Sequence, residues 1–401
     1  MMRTFLTIIG TRPEVIKMSP VLRLLRKERL IRSEICATSQ QGSLLPLSLA
    51  HFRIEPDYSL APLSCNGGLF DRMTRMVASL RPVMSRSRPD LVLVQGDTTT
   101  ALAGAIAARA ANVPVGHIEA GLRTGDLTAP FPEEMNRQLI SRLARYHFAT
   151  TGTARRNLLS EGIEDKDIWI TGSTVVDALL HALSSIENQP SANWLESIPG
   201  PLFKKITDRQ SPMILVTGHR RENHGSALTS VCRSISALAD RRPDWNIVFP
   251  LHTNPAARQP ACSVLRGRPN VYLVPPLNYT EFVFAMSNAS LIVTDSGGLQ
   301  EDAPYLNVPL LVTRDVTERT EGVCAGVADI VGSHPDRLSE IAEDAVLSSN
   351  GGPRGDKHGD LYGDGQAASR IVQTLAGLVL RDTPELIGTS DERGIRCVHP
   401  R

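Results

Sequence analysis

The chain has 401 residues, 41% of them hydrophobic and 21% charged, with a formal net charge of +1. That length accommodates two domains of ordinary size, and the balanced charge excludes bulk electrostatic attraction to nucleic acid or an anionic membrane. Any anion must therefore be held locally.

The six cysteines (Cys36, Cys65, Cys232, Cys262, Cys324, Cys397) form no CxxC pair, which reads as reduced thiols without structural zinc. The run Thr4–Ile9 after Met1-Met2-Arg3 is too short for a signal peptide, and no segment has 18 uninterrupted apolar residues. The expected location is the cytoplasm, with no membrane partner.

Phe5–Ile9 is a continuous β-rich run, as expected of a parallel strand buried on both faces. It stops at Gly10-Thr11-Arg12-Pro13-Glu14, before a helix expected over Val15–Lys27. Pro13 fits the first turn of that helix. With Arg12 and Lys17 beside the helix N-terminus, the turn suits a phosphate; an ordinary βα turn with two surface cations fits equally well. Ser33–Thr38 reads as a second strand, and Gln40–Ser64 has no clear pattern. Leu69–Leu80 reads as a helix leading to Pro89.

Leu91–Val94 is then a strand ending in Gln95-Gly96-Asp97-Thr98, followed by a small-residue helix from Ala101 to Ala111. Val113–Ile118 is a strand ending around His117, Glu119, Gly121 and Arg123, and the loop Ala129-Pro130-Phe131-Pro132 opens into Glu133-Glu134-Met135-Asn136-Arg137. Ligands of open parallel sheets bind outside the carboxyl ends of the strands, so Asp97, His117 and Glu119 are expected to face one crevice. Leu143–Ala149 and Ile168–Gly172 read as further strands, and Ala154–Glu161 as a helix.

The alternation restarts after a linker near Thr171–Ser173. Strands are expected at Met213–Thr217, Asn246–Pro250, Val271–Val274, Leu291–Thr294 and Val308–Val312, with helices at Ala227–Arg241 and Phe282–Asn288. Alternating strands and helices give an α/β fold with parallel sheets. The expected architecture is two Rossmann-like domains facing across a cleft: residues 1–172, and residues 173–365. A helix over 366–381 packs back on the first domain. Residues 382–401 form a loose tail, and Gly351–Gly359 is expected to be loose too.

Several groups carry chemistry. Ser296, Gly297 and Gly298 open a helix, so their amides can approach a diphosphate. Glu301 or Asp302, one turn further on, is placed for ribose hydroxyls. Arg314 and Arg319 could complete the phosphate cradle, and Phe282 could stack on a base or fill the core. His219, with Arg220, Arg221, Glu222 and Asn223, ends a strand facing the crevice, whereas His252 is structural or supporting. Asp97, Glu119, Glu133 and Glu134 crowd one crevice, and mutual pKa shifts suit them to acid–base work. Metal binding is the competing use of such acids; none is expected here.

Seven segments occur in one order: Gly10-Thr11-Arg12-Pro13-Glu14 with Lys17, Gln95-Gly96-Asp97-Thr98, His117-Ile118-Glu119-Ala120-Gly121-Leu122-Arg123, Pro132-Glu133-Glu134 with Asn136-Arg137, Gly218-His219-Arg220-Arg221-Glu222-Asn223, Asp295-Ser296-Gly297-Gly298 and Thr317-Glu318-Arg319. Together they resemble the non-hydrolysing UDP-N-acetylglucosamine 2-epimerases, from about Arg3 to the helix after Tyr362-Gly363-Asp364-Gly365.

The resemblance implies a fold of the glycosyltransferase-B type, usually a homodimer, that interconverts UDP-GlcNAc and UDP-ManNAc without a cofactor. It implies anti-elimination of UDP to a 2-acetamidoglucal and re-addition after protonation on the other face. By the same resemblance Asp97, Glu119 and Glu133 are the catalytic candidates, with His219 near the diphosphate. Arg12, Lys17, Arg137, Phe282, Ser296, Gly297, Gly298, Asp302 and Arg319 are the substrate-binding candidates. A hydrolysing relative that releases ManNAc and UDP, and a glycosyltransferase of the same fold, are the alternatives.

The chain also departs from the family. Ser39-Gln40-Gln41 replaces a Gly/Ala-Gln-His triplet, and Cys65-Asn66-Gly67-Gly68 replaces a Pro-Gly-Gln segment. Both belong to an activating second UDP-GlcNAc site, so activation is expected to be weak, lost or differently built. Asp302 stands where a glutamate is usual, and Thr320 where a proline is.

Overall fold

The computed structural model describes residues 2–381 apart from 39, 41–43, 62–67, 189–196, 209, 219–224, 333–334 and 349–359. Two parallel sheets organise the described residues. The first comprises β1 (Arg3–Ile9), β2 (Ile31–Ala37), β3 (Tyr58–Ser59), β4 (Leu91–Gln95), β5 (Val115–Ala120), β6 (Tyr146–Ala149) and β7 (Ile168–Ile170), in the order β3-β2-β1-β4-β5-β6-β7. The second comprises β8 (Met213–Thr217), β9 (Asn246–Pro250), β10 (Val271–Val274), β11 (Leu291–Thr294), β12 (Leu310–Val312) and β13 (Ala328–Ile330), in the order β10-β9-β8-β11-β12-β13. Strand order reverses between β1 and β4 and again between β8 and β11. Such switch points open the crevices where ligands of this fold class bind.

Local chemistry sets the elements that matter. The helix Arg12–Leu25 begins earlier than its apolar period suggests, because Thr11 and Glu14 form a reciprocal capping box. Pro20 inside this helix has no N–H for the Ile16 carbonyl; the Ser19 hydroxyl donates to that carbonyl instead, at 2.9 Å. The small-residue helix Thr99–Ala110 lies close on the sheet. A Cβ on Gly104 would meet Val94 at 3.0 Å and Ile8 at 3.1 Å. Strands expected from Val113 and Val308 start two residues later, at Val115 and Leu310. Pro114 and Pro309 explain this, since neither can donate to the ladder. The run expected from Leu143 is a strand only from Tyr146, because Leu143 ends the helix Glu133–Leu143.

Each sheet is covered on both faces. Phe5, Ile9, Leu93 and Phe148 belong to one core cluster of the first sheet, and Leu6, Ile8, Val92 and Val94 to another. The helix Ala367–Arg381 adds Ala368, Ile371, Val372 and Leu375 to the first of these. The chain passes between the sheets twice, and the passages touch. A Cβ on Gly172 would lie 3.2 Å from the Cα of Gly363, and Ser173 N–H donates to Tyr362 O at 2.7 Å. Both glycines have positive φ, which side chains disfavour. No helix of the described residues is long and apolar enough to cross a membrane.

Candidate active site

Strand β5 is buried throughout. Residues two apart on a strand share a face, which would put His117 and Glu119 together. The observed strand breaks that rule. Its register with β6 slips between Ile118 and Ala120, and Glu119 has φ +66°, a left-handed conformation uncommon outside glycine. Bulges of this kind re-aim side chains next to active sites.

His117 is fully buried and does not face the crevice. Its Nε2 lies 2.8 Å from the Gly96 carbonyl. A carbonyl only accepts, so Nε2 carries the proton, and Nδ1 has no partner among the described residues. Burial pulls this imidazole down to about 3. His117 thus supports the turn before Asp97. Its strand neighbour His147 is likewise pulled down by burial, to about 4.

Glu119 accepts from Gln95 Nε2 at 2.9 Å, from Lys17 Nζ, and from Arg319 Nη2 at 3.4 Å. Burial raises its pKa against the opposing fields of Lys17 and Arg319. Burial would lower Lys17, but Glu119 and Glu301 outweigh it and the net shift is upward. Arg319 comes from the loop after β12 and also donates to Glu301 and Glu318. These carboxylates hold it well above its ordinary range in spite of burial. Glu301 accepts from Ser173 Oγ as well; Arg319 and Lys17 overcome burial and hold it below the usual range. Glu318 accepts from Arg314 Nη1 at 3.1 Å. Both sheets therefore meet in one buried ion cluster.

A second group adjoins it. Asp97 is paired with Arg137, which also donates to Glu134 at 2.9 Å. Asn136 Nδ2 donates to Asp97 O at 2.8 Å. Glu134 is fully buried and accepts further from Thr124 N–H at 3.0 Å, Gly125 N–H at 3.3 Å and Gln138 Nε2 at 3.0 Å. With its oxygens so occupied, Glu134 is a structural clamp. Glu133, half-buried at the start of the same helix, and Asp97, whose side chain is 24% exposed, are the accessible acids.

In the first βα turn, Glu14 accepts from Gly10 N–H (2.8 Å), Thr11 N–H (2.7 Å), Thr11 Oγ1 (2.9 Å) and Thr98 Oγ1 (2.6 Å). Burial still pushes it up to about 7. The Gly10 and Thr11 amides are therefore engaged within the protein. Arg12 reaches across to the loop after β10, donating to Leu277 O at 2.8 Å.

In the second half, a Cβ on Gly297 would lie 2.6 Å from Arg319 Nη1, whereas one on Gly298 would meet nothing within 4 Å. Ser296 N–H donates to Thr294 Oγ1 at 3.0 Å. Asp302 is buried beside Glu301, and burial lifts its pKa far above the usual carboxylate range. Phe282 packs against the core of the second sheet.

The structure brings Lys17, Glu119 and Arg319 into contact, with Asp97 and Arg137 adjoining. Sequence reasoning missed Gln95 and Glu318 as their partners, and Ser173 as the partner of Glu301. Polar residues at strand ends were the available signal. His219 and its neighbours through Asn223, Ser39, Gln41 and Cys65-Asn66-Gly67 lie outside the described residues, as do Gly351–Gly359 and 382–401. Gln40 is described: its Oε1 accepts from Thr100 N–H at 2.9 Å and Thr100 Oγ1 at 2.7 Å. No group of three metal-ligating side chains occurs among the described residues.

The sequence model for UDP-N-acetylglucosamine 2-epimerase matches residues 23–376. The chain is 44% identical to the UDP-N-acetylglucosamine 2-epimerase of Escherichia coli K12 over 370 residues, which is 92% of this chain and 97% of that one. A crystal structure of the Neisseria meningitidis UDP-GlcNAc 2-epimerase bound to UDP-GlcNAc is similar at TM-score 0.84 and 40% identity, covering 93% of this chain and 100% of that one. The Methanocaldococcus jannaschii UDP-GlcNAc 2-epimerase, solved in complex with UDP-GlcNAc and UDP, is similar at TM-score 0.79 and 33% identity, covering 94% and 100%.

Proposed function

Because this chain belongs to the UDP-N-acetylglucosamine 2-epimerase family, we propose that it interconverts UDP-GlcNAc and UDP-ManNAc by eliminating UDP and adding it back, without hydrolysis. The observation that carries this reading is the buried cluster of Lys17, Glu119 and Arg319 where the crevices of both sheets meet. Elimination needs a base at C2 and a stabilised diphosphate leaving group. Glu119, its pKa raised by burial, suits a proton carrier. Asp97 and Glu133 are the accessible acids for the other face.

Arg12, Lys17 and Arg319, with the amides of Gly297 and Gly298 and the side chain of Ser296, supply donors for the departing diphosphate. Arg137 orients Asp97. The open space over Gly298 leaves room for a ligand, and Asp302 and Phe282 belong to the nucleotide side. His219 is carried over from the resemblance alone. Homodimeric assembly and a cytoplasmic location are proposed on the same basis.

The test is proton NMR of UDP-GlcNAc with the purified protein in D₂O, with no cofactor or acceptor added. UDP-ManNAc carrying deuterium at C2, with little free sugar, is expected. Free ManNAc plus UDP would replace this reading with hydrolysis, and a C2 proton that never exchanges would overturn it.

A further inference from the structure

The helix Arg12–Leu25 presents chemistry at both ends. Lys17 points into the ion cluster. Arg23 lies six residues on, about 240° round the helix axis, and lines a different cavity. This cavity holds about 240 Å³. Arg23, Arg26, Arg53 and His181 line it together with Phe52 and Ile54, and no aspartate or glutamate does.

The negative C-terminal end of the helix dipole would account for Arg23 and Arg26. It does not account for Arg53, on a separate loop with φ +52°, or for His181, on the helix Thr174–Asn188. Arg23 Nη1 rests 3.0 Å and 3.1 Å from the two ring nitrogens of His181. Cations gathered without a carboxylate repel one another, and a bound anion removes that repulsion.

The walls come from both halves of the molecule. Arg53 and Phe52 follow the helix Leu44–His51 beside the first sheet. The helix bearing His181 contributes Ala178, Leu179 and Ala182 to the core of the second sheet. Phe52 also packs against Tyr279, at 5.5 Å between tilted rings, and His51 meets Thr280 at 3.2 Å. An occupant would bridge the two halves, and none of the lining residues belongs to the ion cluster.

From this geometry we infer that the cavity is a binding site, separate from the catalytic cleft, for a small phosphate-bearing molecule. Three guanidinium groups suit phosphate oxygens, with bidentate pairing available. Phe52 and Ile54 offer an apolar wall for the body that carries the phosphate.

His181 reports on the site directly. Burial and Arg23 lower its pKa, and an anion beside it must raise it. The experiment is a histidine-ring NMR titration of the full chain with inorganic phosphate, pyrophosphate and a nucleoside diphosphate in turn. The His181 resonance is identified by its loss in His181→Gln. The expected result is a saturable shift with an upward pKa change, weakened at least tenfold in Arg23→Gln/Arg53→Gln, while that variant keeps wild-type turnover. Tightest binding by the nucleotide would identify a nucleotide occupant; equal binding by inorganic phosphate would identify the free ion. No saturable shift with any of the three, or an equal shift in the double variant, would overturn the inference.

Discussion

Replacing Gly297 by alanine places a methyl carbon 2.6 Å from Arg319 Nη1, 3.0 Å from Cζ and 3.1 Å from Glu318 Oε1. The first approach is about 0.9 Å short of the ~3.5 Å at which heavy atoms rest in contact. A free arginine tip would swing aside. This one is held by Glu301 through Nε, by Glu318 through Nη1, and by Glu119 at 3.4 Å. Moving it far enough breaks at least one buried charged hydrogen bond. Complete loss of a buried pair costs about 3–5 kcal/mol. Partial relaxation brings the expectation to the overpacking range of about 1–3 kcal/mol. Expressed in the transition state, that is about a 5- to 150-fold loss in kcat/KM.

Gly298→Ala is the matched control. Its Cβ meets nothing, and its φ of −62° suits alanine, so stability is unchanged or rises by about 0.4–1 kcal/mol. If Gly298 faces the diphosphate, its alanine variant weakens substrate binding without loss of stability. Urea unfolding and steady-state kinetics on both variants provide the measurement. Wild-type unfolding midpoint and turnover in Gly297→Ala would refute the claim that Arg319 is locked against residue 297.

Asp97→Asn and Glu119→Gln should each lower turnover by ~10²–10⁴-fold while UDP still binds; near-wild-type rates would remove those residues from the chemistry. His117 has a folded pKa near 3 against an ordinary 6.5, so its stabilising contribution is present above about pH 6.5 and lost as pH falls towards 3. The stability gap between wild type and His117→Gln, read from urea unfolding, should therefore narrow below pH 6.5 by about 1.4 kcal/mol per pH unit; a constant gap would contradict a neutral buried imidazole. Asp302 is shifted the opposite way, so its contribution is greatest below its ordinary carboxyl pKa and falls as pH rises. Asp302→Asn should gain on wild type as pH rises above about 4, and parallel pH profiles would show that Asp302 is ionised in the fold.

Much of the fold is written in continuous apolar runs. Met213–Thr217, Asn246–Pro250, Val271–Val274 and Leu291–Thr294 are strands with the expected bounds, because a polar residue, glycine or proline stands at each end or just beyond it. The helix Leu44–His51 escaped notice because Leu-Leu-Pro-Leu-Ser-Leu-Ala-His has no polar face to give it a period. The edge strands β3 and β13 have two and three residues, too few for any pattern. At the site, residue types at strand ends pointed to Lys17, Glu119 and Arg319. Their partners were not legible, because Arg319–Glu119 and Ser173–Glu301 join positions 200 and 128 residues apart. The strand-end rule misplaced His117, since nothing local announces a bulge one residue before Ala120.

That bulge sets backbone strain against ion pairing at one buried position. A left-handed backbone at a residue with a Cβ costs about 1–2 kcal/mol, which glycine does not incur. Removing Glu119 would leave the buried Lys17 and Arg319 short of a partner, at about 3–5 kcal/mol, so a library randomised at residue 119 and screened only for thermal resistance should keep glutamate in spite of the strain. Glycine recovered at 119 from that screen would show that the backbone strain outweighs the ion cluster.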